Sequence, residues 1–208
     1  MVRRIHIRLA YSAMIRWIYM DLRLRRLYQI TPLVSSSNVS AIIALMNNYA
    51  YIDGQNLYMN TKSYGWKIDL ARFRIYLKEK YHVTKAYYFL GSVSDENEKI
   101  YESIQQAGFI LMFREHNQSM IGKKKGNVDT DIVFTIMEKV AEKEKFDKVV
   151  LVSGDGDYFK VVKYLIEKER LAKVLAPNKK SMSSLYRPFT PKYTDFLDRQ
   201  DIKRKISQ

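Results

Sequence analysis

Two short apolar runs, each ending in glycine and aspartate, constrain the fold of this 208-residue chain more than any other feature. The first spans residues 49–56 (YAYIDGQN) and the second residues 149–157 (VVLVSGDGD). Short apolar runs bounded by turn residues are typical of strands buried on both faces of a parallel sheet. Open α/β sheets bind their ligands at the carboxyl ends of the strands. The sequence therefore predicts that the acidic residues after the two runs share one site.

The rest of the chain alternates between strand and helix patterns. Strands are predicted at 49–53, 83–90, 109–113, 148–152 and 171–176, and helices at 68–80, 95–107, 128–143 and 158–168. A short turn or helix at 56–60 and weaker helical patterns near Leu185 and over 198–206 complete the prediction. Alternation of this kind implies an α/β fold with a mainly parallel sheet and helices on both faces.

The first 46 residues differ in composition from the rest. Apart from His6, their basic residues are all arginine, whereas lysine dominates from Met46 onward. Three interpretations stay open: a helix that binds RNA or a membrane surface, a targeting segment, or sequence translated from upstream of a true start at Met46. The third is favoured because residue usage changes near a methionine just before the first strand. The predicted organisation is a basic extension (1–46), an α/β domain (47–178) and a C-terminal helical tail (179–208).

The amino-acid composition limits the classes of partner and of chemistry that the chain can have. With 36 Lys and Arg against 22 Asp and Glu, the formal charge of +14 favours a polyanionic partner, nucleic acid first and an anionic membrane surface second. The absence of cysteine excludes disulfides, thiolate zinc sites and a cysteine nucleophile. The three histidines are scattered and lack the i, i+4 spacing of a helical metal site. No apolar run reaches about 18 residues, so no stable membrane insertion is predicted.

Asp53 and Asn56 follow the first run. Taken alone, a strand ending in Asp-Gly is often only a turn. Asn56 strengthens the functional interpretation, because an amide three residues on can hold a carboxylate, a phosphate or a metal-bound water.

Asp129 is predicted to lie on the buried face of its helix. At about 100° per residue it falls within about 40° of the apolar residues Val133, Ile136 and Val140. Asp131 lies about 200° away and is predicted to face solvent. Favourable interaction with the helix dipole is enough to explain an exposed Asp131 in the first turn. It does not explain Asp129, because burying a carboxylate costs free energy unless a positive charge lies beside it.

The loop after the second run supplies the remaining candidates. A tight strand-to-helix connection with Asp157 as N-cap would explain Asp157 and both glycines, and would leave Asp155 unexplained. Glycine also lets a ligand approach the backbone closely, so Ser153 and Gly154 are candidate substrate contacts.

Carboxylates gathered on one sheet edge repel one another unless a cation joins them. Oxygen ligands without histidine or cysteine select a hard ion, Mg²⁺ or Mn²⁺. Such an ion beside a basic loop suits phosphodiester hydrolysis. Lys125, four residues before Asp129, is the candidate phosphate contact, whereas Lys123 and Lys124 are equally well explained as a solvated loop.

Three segments together resemble the NYN domain family, relatives of the PIN-type nucleases. They are residues 51–57 (YIDGQNL), 125–129 (KGNVD) and 151–159 (LVSGDGDYF), and the resemblance covers about 48–176. It implies a Rossmann-like PIN-type fold and a cytoplasmic, metal-dependent ribonuclease that acts on RNA. The family's site residues fall on the following positions: Asp53, Asn56, Asp129, Asp155 and Asp157.

In this interpretation Asp53, Asp129 and Asp155 bind Mg²⁺ or Mn²⁺ with Asp157 assisting, and Asn56 orients water or phosphate. Relatives often carry a further aspartate where this chain has Thr135. The missing carboxylate is expected to weaken metal binding and so to slow turnover. One alternative is an RNA-binding module of the same fold without turnover. Another is a phosphatase of the haloacid dehalogenase type, disfavoured because Gln55 stands where an aspartate would be needed. Whether the chain forms a homo-oligomer is left open.

Overall fold

The computed structural model describes residues 46–91, 93, 97–114 and 128–208. The chain divides between Ala44 and Leu45, and the described residues belong to the second of the two units. The predictions made for residues 1–45 and for Lys125 lie outside the described residues.

The described chain alternates strands and helices as predicted. The strands are β1 (Asn48–Asp53), β2 (Val83–Leu90), β3 (Ile110–Phe113), β4 (Val149–Val152), β5 (Leu171–Ala176) and β6 (Thr194–Phe196). The helices are α1 (Gly54–Ser63), α2 (Leu70–Tyr81), α3 (Glu98–Gln106), α4 (Asp129–Ala141), α5 (Phe159–Glu167) and α6 (Gln200–Ile206). Two 3₁₀ turns, Gly156–Tyr158 and Ser184–Phe189, connect them. None of the helices in these ranges is long and apolar enough to cross a membrane.

The strands form one parallel sheet in the order β3-β2-β1-β4-β5-β6. The predicted α/β class with a mainly parallel sheet is confirmed. The chain builds outward from β1 on one side and then continues from β4 on the other, so the order reverses between β1 and β4. These two strands pair directly, with Ile52 opposite Val152, and their carboxyl ends are therefore neighbours. A reversal point of this kind is where open α/β sheets bind ligands.

Helices cover both faces of the sheet, as predicted. Side chains alternate along β1, so that Ala50 and Ile52 pack on one face and Tyr49 and Tyr51 on the other. Helices α1, α2, α3 and α6 contribute to the first core, and α4 and α5 to the second. With buried side chains on both faces, β1 is held rigidly and presents its last residue, Asp53, at a fixed place.

The sixth strand was not predicted. Residues 194–196 extend the sheet by pairing with β5, Val174 opposite Thr194. Three residues are too short to display a period of two, so the segment carries no strand signal of its own. The helical patterns predicted near Leu185 and over 198–206 correspond to the second 3₁₀ turn and to α6, and β6 lies between them.

Gly54, the first residue of α1, has no room for a side chain. A Cβ at this position would lie 2.4 Å from Tyr88 Cε1 and 2.6 Å from the backbone oxygen of Phe89. We therefore predict that Gly54→Ala lowers the free energy of unfolding by about 1–3 kcal/mol, measured by urea denaturation. Gly91→Ala is the control, because no heavy atom of the described residues, its chain neighbours aside, lies within 4 Å of its added carbon. Equal stabilities of the two variants would contradict the packing described here.

Candidate functional site

Asp53 ends β1 and at the same time caps α1. Its backbone is extended (φ −74°, ψ 97°), and its carboxylate accepts a hydrogen bond from the backbone N–H of Asn56 at 2.9 Å. This is the usual N-cap arrangement, in which a side-chain oxygen satisfies an otherwise unpaired helical N–H group. The residue is only 4% exposed, and its second oxygen, Oδ2, accepts from the Tyr158 hydroxyl at 3.1 Å.

Burial raises the pKa of Asp53 above its ordinary value of 3.8. The hydrogen bonds from Asn56 and Tyr158 act in the opposite direction, and the nearby negative charge of Asp155 raises the pKa further. The direction shows that desolvation outweighs the hydrogen bonds. An ionised Asp53 is therefore costly for the folded protein unless a positive charge is brought to it.

The loop after β4 is tied to the end of β1. The Asn56 side-chain oxygen accepts the backbone N–H of Gly154 at 3.2 Å. Ser153 is fully buried, and its hydroxyl accepts the N–H of Asp155 at 3.1 Å. Both residues thus support the shape of the loop from within. A Cβ on Gly154 would lie 3.0 Å from the backbone oxygen of Ser181, so glycine is what lets the two backbones approach.

Asp155 caps the 3₁₀ turn Gly156–Tyr158, accepting the N–H of Asp157 at 3.1 Å. The tight-loop interpretation expected Asp157 in this role, and that was wrong. An aspartate next to glycine is a suitable cap at either position, so sequence alone does not separate the two. Because Asp157 does not cap the turn, its exposed carboxylate projects from the loop.

Asp129 is the first residue of α4 and is 8% exposed, which confirms the burial predicted from the helical wheel. Its Oδ1 accepts from the Tyr158 hydroxyl at 2.5 Å. Asp131, expected to face solvent, is half-buried instead, and its Oδ2 has no hydrogen-bond partner in the described part of the chain. A helical wheel gives the direction of each side chain around the helix axis, but it does not include the neighbouring elements that pack against the helix.

Three carboxylates converge. Asp129, Asp155 and Asp157 each offer one oxygen, and these oxygens all lie within 4.8 Å of one another. The ion pairs found among the described residues lie elsewhere and involve neither Asp155 nor Asp157. A set of carboxylate oxygens without nitrogen or sulfur suits a hard divalent cation. Asp53 is not one of the three, but it is joined to Asp129 through the Tyr158 hydroxyl.

A cleft of about 470 Å³ opens beside two of the three carboxylates, Asp155 and Asp157. Its walls come from α1, from the β4 loop and from the segment after β5, and its lining residues are Asn56, Asn60, Gly154, Asp155, Gly156, Asp157, Ser181, Ser183 and Leu185. The segment after β5 also donates hydrogen bonds to the acidic loop, residues 153–157. The Ser183 N–H donates to the Gly154 carbonyl at 2.9 Å, and the Tyr186 hydroxyl to the Asp155 carbonyl at 2.5 Å.

The family model of the NYN domain matches residues 49–196 of this chain. The chain belongs to the NYN domain family. The match covers the sheet except for Asn48 and includes every residue of the carboxylate cluster. It confirms the family resemblance read from the three motifs.

Two known proteins are similar to this NYN domain. The Low amplitude and bright protein LabA of Synechococcus elongatus is 25% identical over 167 residues, which cover 76% of this chain and 88% of LabA. A crystal structure of a Vibrio parahaemolyticus protein of unknown function superposes with a TM-score of 0.63 at 20% identity, covering 78% of this chain and 96% of that one. The second similarity is one of fold.

Two tyrosines of the site were not found by sequence reasoning. Tyr158 carried a usable signal: together with Val161, Val162 and Leu165 it repeats at the spacing of a buried helical face. A buried tyrosine needs an acceptor for its hydroxyl, and the neighbouring aspartates are the available acceptors. Tyr186 carried no such signal, because its partner Asp155 lies 31 residues earlier.

We predict that Asp53→Asn makes the metal-free NYN domain more stable at neutral pH. Since burial raises the pKa of Asp53, the wild-type folded state loses stability as the pH rises from the ordinary value of 3.8 through the folded pKa. Asparagine keeps the N-cap and removes that loss. Urea denaturation in EDTA should show a gain for the variant at pH 7 that disappears below about pH 3.8.

Asp69→Asn is the matched control for this prediction. Asp69 caps α2 through the N–H of Arg72 at 2.9 Å and is far less buried than Asp53. Its substitution should give no gain in stability at pH 7. A gain of the same size at both positions would contradict the role assigned to burial.

Proposed function

We propose that this NYN domain is a metal-dependent ribonuclease that hydrolyses RNA phosphodiester bonds. The observation that carries the proposal is the convergence of Asp129, Asp155 and Asp157, whose carboxylate oxygens lie within 4.8 Å of one another. Asp155 and Asp157 also line an open cleft. These three residues would hold Mg²⁺ or Mn²⁺, with Asp53 behind them. A bound ion of this kind neutralises phosphate charge and lowers the pKa of a water that attacks phosphorus.

The cleft walls suit a sugar-phosphate backbone. Asn56, anchored through its oxygen to the Gly154 N–H, would direct its amide NH₂ group at phosphate or at the attacking water. Ser181 and Ser183 provide hydroxyl groups on the opposite wall, and Leu185, 48% exposed, provides an apolar surface for a base. Gly154 lines the cleft, whereas the buried Ser153 would act by supporting the loop.

Positive charge supports a polyanionic substrate. The chain carries a formal charge of +14, and the exposed residues Lys179 and Lys180 precede the Ser181 wall of the cleft. Neutralisation of phosphates by such side chains supplies affinity that falls as salt rises. Lys125 remains a candidate phosphate contact on sequence grounds. RNA as the polymer, and a cytoplasmic setting, follow from the family resemblance and belong to the same proposal.

A binding module without turnover is the second candidate, and Thr135 favours it. Where relatives often have an aspartate, this chain has a threonine whose hydroxyl donates to the backbone carbonyl of Asp131 at 2.7 Å. Position 135 therefore offers no carboxylate to a cation. Both candidates bind RNA, but only the nuclease forms products whose appearance a chelator stops.

We predict that Asp129→Asn and Asp155→Asn each reduce metal-dependent RNA cleavage at least about 100-fold while leaving the protein folded, because each removes one charged ligand from the cluster. The assay uses labelled single-stranded and structured RNA with Mg²⁺, Mn²⁺ or EDTA. Asp69→Asn, at the cap of α2, serves as control and should cleave like the wild type. Cleavage that survives EDTA, or survives in both site variants, would rule out the proposed mechanism.

We further predict that Lys179→Ala/Lys180→Ala weakens RNA binding and flattens its salt dependence. For single strands each lost phosphate contact lowers the slope of log K against log salt by about 0.7. Fluorescence anisotropy with labelled single-stranded RNA in EDTA measures binding without cleavage. Lys78→Ala/Lys80→Ala removes the same charge from the last turn of α2, at the opposite edge of the sheet, and should leave the slope nearer to that of the wild type. Identical slopes for the two double variants would exclude a phosphate contact by Lys179 and Lys180.

A further inference from the structure

Tyr158 is the fully buried residue that joins two of the acids. It ends the 3₁₀ turn that begins at Gly156, and its ring packs in the core beneath α4 and α5. Its hydroxyl lies 3.1 Å from Asp53 Oδ2 and 2.5 Å from Asp129 Oδ1. One phenol oxygen thus contacts a carboxylate at the end of β1 and another at the start of α4.

A single hydroxyl carries one proton and donates to one carboxylate at a time. The contact therefore fixes the positions of two acids without neutralising both. The other oxygen of Asp53 is already engaged by the Asn56 N–H. Asp53 is consequently contacted at both of its oxygens, and the one Tyr158 proton is shared between Asp53 and Asp129.

We propose that Tyr158 is a positioning residue of the metal centre, which holds Asp53 and Asp129 in the arrangement that a divalent cation requires. This inference rests on the proposed function, since it presumes that the carboxylate cluster binds a cation. Carboxylates that bind metals are themselves held by hydrogen bonds, and loss of such a partner typically costs 10–100-fold in metal affinity or activity. Without the hydroxyl, Asp53 and Asp129 would lose the contact that joins them.

The test removes only the oxygen. Tyr158→Phe keeps the buried ring, and its Mn²⁺ affinity is measured by isothermal titration calorimetry in the absence of RNA. We expect binding about 10–100-fold weaker than in the wild type. Tyr51→Phe is the matched control, because Tyr51 is equally buried and its hydroxyl has no hydrogen-bond partner in the described part of the chain. Its Mn²⁺ affinity should equal that of the wild type.

A second measurement uses the wild-type protein and does not depend on how well Tyr158→Phe folds. Addition of Mg²⁺ should perturb the near-ultraviolet absorbance of a tyrosine whose hydroxyl contacts the ligand carboxylates. The same addition to Asp129→Asn should give a much smaller tyrosine signal. A wild-type spectrum unchanged at saturating Mg²⁺ would overturn the inference.

The outcomes separate the two proposals. Equal Mn²⁺ affinities of wild type and Tyr158→Phe would overturn the positioning role and leave the nuclease proposal intact. A wild-type protein that binds Mn²⁺ yet cleaves no RNA would remove the nuclease, whereas weaker binding by Tyr158→Phe would still support the positioning role. A wild-type protein that binds no Mn²⁺ would overturn both.

Discussion

Electrostatic repulsion among aspartates at one sheet edge is the constraint on which the site of this NYN domain depends. Two of these aspartates are held in place because they also cap helical elements. Asp53 caps α1 and Asp155 caps the 3₁₀ turn after β4, each by accepting a backbone N–H. Helix N-termini stabilise negative charge, so the same interactions that begin these elements reduce the cost of the carboxylates. For Asp53 the compensation is incomplete, because burial still raises its pKa.

Topology brings these acids together although they are far apart in the chain. The reversal of strand order places the ends of β1 and β4 side by side, and the Asn56 oxygen joins them through the Gly154 N–H. The segment after β5 then holds the outer side of the acidic loop through Ser183 and Tyr186. Because β6 pairs with β5, this segment is fixed at both ends. The C-terminal part of the chain is thus a structural component of the site.

The sequence was informative wherever a signal is local. Apolar runs ending in glycine and aspartate located β1 and β4, and helical periodicity predicted that Asp129 is buried. It failed where partners are distant or a signal is ambiguous. β6 is too short to show a period, the Tyr186 hydroxyl contacts a carbonyl 31 residues away, and the choice of cap between Asp155 and Asp157 depends on backbone angles. These features depend on contacts between segments that are distant in the sequence and meet only in the assembled sheet.

The two edges of the same sheet differ in how the described residues balance the charge of their carboxylates. Near the amino ends of the strands, Glu144 accepts from Lys139 at 2.8 Å, Lys85 at 3.0 Å and the Tyr49 hydroxyl at 3.0 Å. The hydrogen bonds from Lys139 and Lys85 lower the pKa of Glu144 to about 2, so that carboxylate is satisfied by the protein itself. At the carboxyl ends, Asp155 and Asp157 form no ion pair within the described ranges. At one edge the described fold thus supplies lysines to the carboxylate of Glu144. At the other edge no ion pair among the described residues relieves the repulsion between Asp155 and Asp157. A bound cation would relieve that repulsion.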